Sequence, residues 1–121
     1  MINLDTHIVV HLLNGDLSQA EIKILTGRQT GISAIVLWEL AKLKQLGRIA
    51  FGPEDSVVSS FLRECRVWQI DTAIAVASTR LDIQSDPADE LIAATSIVNR
   101  VPLLTRDAKL RSSRMVPLAL A

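Results

Sequence analysis

Cysteine and aromatic residues are scarce in this chain of 121 residues. It contains no tyrosine, and its Trp and Phe residues make up only 3% of the sequence. The single cysteine, Cys65, excludes both an internal disulfide and a pair of cysteine ligands for a metal ion. Because no disulfide framework is possible, the cytoplasm is the expected compartment.

Long apolar runs and an excess of charge are also missing. The longest apolar runs, such as Ile35 to Trp38, fall far short of the roughly 20 residues of a membrane helix. Asp5 and His7 interrupt the first segment before the apolar region of a signal peptide could form. The 13 basic and 13 acidic residues balance, which argues against a protein that coats nucleic acid by bulk charge. We therefore expect neither a membrane protein nor a protein that binds nucleic acid through a large excess of positive charge.

The hydrophobic content of 49% is sufficient for a buried core. The length suits a single domain over residues 1–121. Apolar runs that predict strands alternate with patterns that predict helices. The predicted strands are 1–4, 30–32, 67–70, 101–104 and 115–120, and helices are predicted to begin near Asp5, Ser18, Ser33, Pro53, Asp71, Asp86 and Asp107. This alternation indicates an α/β fold with a mostly parallel sheet.

Four carboxylates occupy positions that stand out against this pattern. Asp5, Asp89 and Asp107 lie where an apolar strand gives way to a helix, and Glu39 interrupts the apolar stripe of the helix predicted for residues 34–46. Ligand sites of parallel α/β folds lie outside the carboxyl ends of the strands, so these residues can converge on one pocket. We call the four residues the acidic quartet.

Each member of the quartet also has an ordinary structural explanation. Asp is a preferred N-cap, so Asp5 and Asp107 can cap the helices that follow them. Asp86 and Asp89 match an Asp-x-x-Asp form of the capping box. Glu39 can lie at the boundary of the apolar stripe and extend into solvent.

Convergence of the quartet would favour a divalent cation. Two carboxylates about 4 Å apart repel by roughly 4 kcal/mol at an effective dielectric constant of 20. Ligands that offer only carboxylate oxygens select hard ions, so Mg²⁺ or Mn²⁺ is expected rather than zinc. With the quartet's charge neutralised, 13 basic residues face nine remaining acids, and a polyanionic substrate becomes acceptable.

Four short motifs together resemble the PIN domain, specifically the VapC-type toxins of bacterial toxin–antitoxin pairs. The resemblance covers nearly the whole chain in order and spacing. The motifs are Leu4-Asp5-Thr6-His7, Ser33-x5-Glu39, Asp86-Pro87-Ala88-Asp89-x-Leu-Ile-Ala-Ala and Leu103-Leu104-Thr105-Arg106-Asp107.

The resemblance implies a metal-dependent endoribonuclease on a three-layer α/β/α sandwich. It also implies an RNA substrate, a homodimer and a cognate antitoxin protein. The metal ligands and catalytic acids would be the quartet, with Thr105 as a polar neighbour that orients a ligand or water, and Thr6 and Ser33 as supporting groups. Asp71 is assigned to helix capping only, because the family pattern does not require it. Ala88 and Glu90 depart from the aromatic or arginine residues common beside the third acid, which makes the RNA contacts there less transferable.

Other classes of protein fit less well. A receiver domain needs paired acids after its first strand and a late lysine, and a haloacid-dehalogenase-type phosphatase needs Asp-x-Asp where this chain has Asp5-Thr6-His7. His7 and His11 have a zinc-binding spacing but lack a third soft ligand, so we interpret them as structural. A PIN-fold protein that only binds a partner or regulates itself, with a weak or blocked metal site, remains the main alternative.

One basic stretch lies next to the last acid of the quartet. It comprises Arg106, Lys109, Arg111 and Arg114. The stretch is either a solvated charged segment or a grip for the phosphate backbone of RNA beside the metal site.

Overall fold

The computed structural model describes residues 1–120. Within them, short strands alternate with helices in the order that the sequence predicts. The strands are β1 (Ile2–Leu4), β2 (Thr30–Ser33), β3 (Arg66–Trp68) and β4 (Leu103–Leu104). The helices are α1 (Thr6–Asn14), α2 (Gln19–Leu25), α3 (Ile35–Gln45), α4 (Ser56–Arg63), α5 (Thr72–Ser78), α6 (Pro87–Asn99) and α7 (Ala108–Ser112).

The four strands form one parallel sheet with the order β3-β2-β1-β4. Asn3 of β1 pairs with Gly31 of β2 on one side and with Leu103 of β4 on the other. The chain therefore builds the sheet outward from β1 in one direction and then returns to add β4 on the opposite side. This reversal of strand order next to β1 is the place where open α/β sheets bind their ligands.

The sheet and its helices enclose the core. Its largest fully buried side chains include Ile2 and Leu4 of β1, Ile32 of β2, and Leu103 and Leu104 of β4. Strands covered on both faces have such continuous apolar runs. The predicted three-layer α/β/α architecture with a parallel sheet is confirmed.

Local signals set the ends of several helices as predicted. Ser18 and Glu21 form the complete capping box at the start of α2. Asp71 caps α5 by accepting a hydrogen bond of 2.9 Å from the Ile74 amide. Gly15 ends α1 in the left-handed conformation that glycine adopts without strain.

Some predicted boundaries are wrong. Pro53 does not begin a helix, because it lies in a turn and α4 starts three residues later behind Asp55. In this turn the Asp55 carboxylate accepts hydrogen bonds from the Gly52 amide and the Lys44 ammonium. The third and fourth strands occupy 66–68 and 103–104, rather than 67–70 and 101–104, because only these residues pair with neighbouring strands.

The prediction of a last strand over residues 115–120 is also wrong. Leu118 makes only an isolated parallel bridge with Leu103. The Leu103 amide donates to the Pro117 carbonyl at 2.8 Å, and the Ala119 amide donates to the Leu103 carbonyl at 2.9 Å. The segment therefore touches the open edge of β4 but does not continue as a strand. None of the helices in residues 1–120 is long and apolar enough to cross a membrane.

Candidate active site

Asp5 lies at the carboxyl end of β1, in the centre of the sheet, and is 2% exposed. Its Oδ1 accepts a hydrogen bond of 2.8 Å from the Thr6 amide, and its Oδ2 accepts one of 2.6 Å from the Thr105 hydroxyl. Burial raises the pKa of Asp5, and the charge of Asp107 adds to the rise, whereas the two hydrogen bonds and His7 oppose it. The net effect is a raised pKa, so Asp5 is a carboxylate with incompletely compensated charge.

Glu39 projects from α3 toward the start of α1, where the Thr6 hydroxyl donates a hydrogen bond to its Oε1. Burial raises the pKa of Glu39, and the charges of Asp89 and Asp5 raise it further. The Thr6 hydroxyl and His7 act in the opposite direction but do not cancel the rise. The prediction that Glu39 points inward from its apolar stripe is therefore consistent with its contacts.

Asp89 lies in the first turn of α6, and its Oδ2 accepts a hydrogen bond of 3.0 Å from the Ser85 hydroxyl. Burial raises the pKa of Asp89, and so do the charges of Asp5, Asp107 and Asp86. The predicted Asp86–Asp89 capping box is wrong, because Asp86 makes no side-chain hydrogen bond at the helix start. Asp89 is turned to the other acids and to Ser85 instead.

Asp107 follows β4 and caps α7, accepting a hydrogen bond of 3.0 Å from the Leu110 amide. Its own amide donates to the Thr105 hydroxyl oxygen at 3.0 Å. Thr105 thus connects two members of the quartet, because it donates to Asp5 and accepts from Asp107. The capping and site interpretations of Asp107 are compatible, since its cap uses only Oδ1.

The supporting residues predicted beside the quartet differ in what they contact. Thr6 is 3% exposed and bonds Glu39 directly. Ser33 ends β2, and its hydroxyl oxygen accepts a hydrogen bond of 3.3 Å from the Ile35 amide, so it supports the start of α3 rather than an acid. The formal N-cap of α3 is Ala34, which has no capping side chain.

The four acids influence one another electrostatically, which places them in one region at the carboxyl edge of the sheet. Asp5 acts on the pKa of Glu39 and of Asp89, Asp107 acts on Asp5 and Asp89, and Asp89 acts on Glu39. These residues come from the ends of β1 and β4 and from α3 and α6. The topology therefore gathers residues that are up to 102 positions apart in the sequence.

The ligand atoms of the quartet suit a hard divalent cation. It offers only oxygen atoms, and three of its members have raised pKa values that a cation would lower. Each hydrogen bond to Glu39, Asp89 and Asp107 engages one carboxylate oxygen and leaves the second for another ligand. In residues 1–120, however, no three His, Cys, Asp or Glu side chains already stand close enough together to hold a metal ion. Side-chain rotation toward a common point would be needed for binding.

The residues of the basic stretch beside Asp107 differ in their contacts. Arg106 pairs with the buried Glu21, and Arg111 donates to the Leu120 carbonyl at 2.7 Å. Both guanidinium groups thus have a partner within the chain, while the Arg106 side chain remains 40% exposed. The side chains of Lys109 and Arg114 are exposed.

Three features near the site were not predicted from the sequence. His7 is exposed and close enough to Asp5 and Glu39 to act on their pKa values. Ser85 bonds Asp89, and Glu21 bonds Arg106. His11, which we interpreted as structural, bonds Asp16 through Nδ1 at 2.7 Å. Among these features, only His7 had a signal in the sequence, because it directly follows Asp5-Thr6.

The fold and the site together define a parallel α/β/α protein with a group of carboxylates near its topological switch point. The PIN domain family model matches residues 2–114, and the chain belongs to the PIN domain family. PIN domains are generally nucleases, and those nucleases generally use divalent metals. The family resemblance read from the four sequence motifs is confirmed at this level.

Solved structures with the same fold come from several bacteria. A toxin–antitoxin complex from Klebsiella pneumoniae matches with a TM-score of 0.71 at 22% identity, over 93% of this chain and 91% of the other. VapBC2 from Rickettsia felis, bound to a fragment of promoter DNA, matches with a TM-score of 0.73 at 23% identity, over 98% and 97%. FitAcB from Neisseria gonorrhoeae matches with a TM-score of 0.63 at 22% identity, over 91% and 90%. A comparison with curated proteins gave no significant match.

Proposed function

We propose that this protein is a metal-dependent endoribonuclease and that Asp5, Glu39, Asp89 and Asp107 hold its Mg²⁺ or Mn²⁺. The observation that carries the proposal is the convergence of four carboxylates from distant segments near the switch point of the sheet, where burial raises the pKa values of Asp5, Glu39 and Asp89. Such charge is costly to bury unless a cation or protons compensate it. Membership in the PIN domain family makes a nuclease the natural class.

The chain's own residues would position the reaction rather than take part in it covalently. Thr105 fixes Asp5 through a hydrogen bond of 2.6 Å, and Thr6 fixes Glu39, so both acids have defined orientations. Ser85 does the same for Asp89. A bound divalent cation supplies the chemistry that these acids lack, because it lowers the pKa of water and stabilises charge on phosphodiester oxygens. No nucleophilic side chain is then required.

We further propose that the protein is the toxin of a type II toxin–antitoxin pair. The structural neighbours include complexes described as toxin–antitoxin, VapBC and FitAB assemblies. In this chain Trp38 of α3 is 55% exposed and Leu46 at the end of the same helix is 62% exposed. Large apolar side chains in such positions favour burial against another chain. A homodimer and a VapB-like antitoxin are the partners we infer.

The test of this function is incubation of the purified protein with total cellular RNA, followed by mapping of the ends produced. Discrete new ends should form with Mg²⁺ or Mn²⁺ and not with chelator. The protein encoded immediately upstream should suppress them. Intact RNA in the presence of metal, combined with tight binding of the upstream protein, would instead support a PIN-fold protein that only binds its partner.

A further inference from the structure

An ion pair outside the acidic quartet connects α2 to the loop that carries the last acid. The Arg106 guanidinium donates to Glu21 through Nε at 2.8 Å and through Nη2 at 2.7 Å. This two-point geometry fixes the orientation of both groups, which a single contact would not do. Glu21 is only 4% exposed, so the carboxylate side of the pair is buried, while the Arg106 side chain is 40% exposed.

Glu21 is itself held rigidly at the start of α2. Its Oε1 accepts a hydrogen bond of 2.8 Å from the Ser18 amide, and its own amide donates to the Ser18 hydroxyl at 3.2 Å. The capping box therefore serves a second purpose here, because the same carboxylate receives the arginine. Arg106 is held against a fixed point of the helix.

Arg106 lies between two residues that reach the acidic site. Its predecessor Thr105 donates to Asp5 at 2.6 Å, and the amide of its successor Asp107 donates to the Thr105 hydroxyl oxygen at 3.0 Å. A displacement of the Arg106 backbone would move both neighbours. Errors of about 1 Å in the position of catalytic groups can lower rates about 100-fold.

We propose that Glu21 and Arg106 are a positioning pair that holds the Thr105–Asp107 loop against Asp5. The proposal rests on the nuclease function proposed above, since it concerns the acids of that site. It assigns Arg106 a role through Glu21 and not through the RNA phosphates. Loss of a positioning role lowers kcat, whereas loss of a direct RNA contact raises KM.

The experiment compares Arg106→Ala, Arg106→Lys, Glu21→Gln and the double variant Glu21→Gln/Arg106→Ala with the parent chain. Arg48→Ala is the matched control. Arg48 is exposed, and its replacement removes the same charge away from the site. Circular dichroism first selects the folded variants, and Arg106→Lys keeps one ion pair if the alanine variant is unstable. The measurements are kcat and KM for a single-stranded RNA with Mg²⁺, and amide hydrogen exchange of Asp107 in chelator.

The positioning role predicts that Arg106→Ala and Glu21→Gln each lower kcat about 10- to 100-fold while KM changes less than about threefold. The double variant should be no slower than the slower single variant, because both substitutions break one pair. Arg106→Lys should retain part of the rate. An increase in KM at constant kcat, or effects that multiply in the double variant, would overturn the proposal in favour of direct RNA contact.

Amide exchange separates a failure of this proposal from a failure of the proposed function, since it requires neither RNA nor metal. Exchange of the Asp107 amide should be about 10-fold faster or more in Arg106→Ala and Glu21→Gln, and unchanged in Arg48→Ala. If exchange is faster in these two variants but the parent chain cleaves no RNA, the nuclease proposal is refuted and the pair remains as the device that orders this loop. Unchanged exchange would overturn the positioning pair even if the chain cleaves RNA.

Discussion

Replacement of Glu21 by Gln should destabilise the protein measurably at neutral pH. Gln keeps the shape of the side chain and an oxygen that accepts from the Ser18 amide, but it removes the charge opposite Arg106 and replaces one of the two oxygens that accept from the guanidinium. The hydrogen bonds from Arg106, with smaller contributions from Ser18, lower the pKa of Glu21 from 4.5 to about 2. At about 1.36 kcal/mol for each pH unit, this difference corresponds to about 3 kcal/mol. The Arg106 side chain is 40% exposed, so screening by water reduces the expected loss to about 2 kcal/mol.

The pH dependence of this loss follows from the direction of the pKa change. A carboxylate whose pKa is lowered on folding stabilises the protein above its unfolded value of 4.5, and this contribution disappears as the pH falls toward about 2. The difference in unfolding free energy between the parent chain and Glu21→Gln should therefore be constant from about pH 8 to 5.5. It should shrink below about pH 4.5.

Urea unfolding in chelator, followed by circular dichroism, measures both quantities. Glu64→Gln is the matched control, because Glu64 is exposed and lies at the end of α4. We expect a loss below about 0.5 kcal/mol for that control. A loss of the same small size for Glu21→Gln, or a larger loss that does not depend on pH, would refute the reasoning about the Glu21–Arg106 pair.

Three further predictions concern packing, charge and pH. Gly31→Ala should cost about 1 to 3 kcal/mol in urea unfolding, because the added Cβ would lie 2.4 Å from Cζ3 of Trp68, and a loss below about 0.5 kcal/mol would contradict this packing. Asp89→Asn should leave thermal stability in chelator unchanged or higher, since a repelling charge is removed, whereas Asp71→Ala should cost about 1 kcal/mol as a lost cap; a strong loss for Asp89→Asn would favour a purely structural role. In chelator, the melting temperature should rise as the pH is lowered from neutral toward about 4.5. Folding raises the pKa values of Asp5, Glu39 and Asp89 above their ordinary values of 3.8 and 4.5, so the folded state loses stability as the pH rises through the raised values. A flat or falling melting temperature over that range would contradict these raised pKa values.

Much of the architecture was predictable because local signals and the global fold agree. The apolar runs before Asp5 and Thr105 become β1 and β4, and Asp71 and the Ser18–Glu21 box cap their helices as predicted. Glu39 was recognisable because a charge on an apolar stripe requires a partner. These features depend on residues close together in the sequence, which pattern reasoning can read.

The errors occur where contacts between distant segments decide the outcome. The apolar residues 115–120 have the composition of a strand, yet only Leu118 pairs with β4. Pro53 is compatible with a helix start, but the contacts of Asp55 with Gly52 and Lys44 delay α4. In the same way, nothing in the neighbourhood of Glu21 indicated that its partner would be Arg106, 85 positions later. Composition alone carries no information on such pairing.

The most direct test of the central claim is the initial rate of cleavage of a labelled single-stranded RNA by the parent chain, Asp5→Asn and Asp71→Asn. Asn at position 5 keeps an acceptor for the Thr6 amide but removes the charge and replaces the oxygen that accepts from Thr105 by an NH2 group. Asp71→Asn makes the same substitution at a cap outside the quartet. The account predicts cleavage that requires Mg²⁺ or Mn²⁺ and stops in chelator. It predicts a rate lower by at least about 100-fold for folded Asp5→Asn and an unchanged rate for Asp71→Asn. Cleavage by Asp5→Asn at the parent rate, or cleavage that persists in chelator, would contradict it.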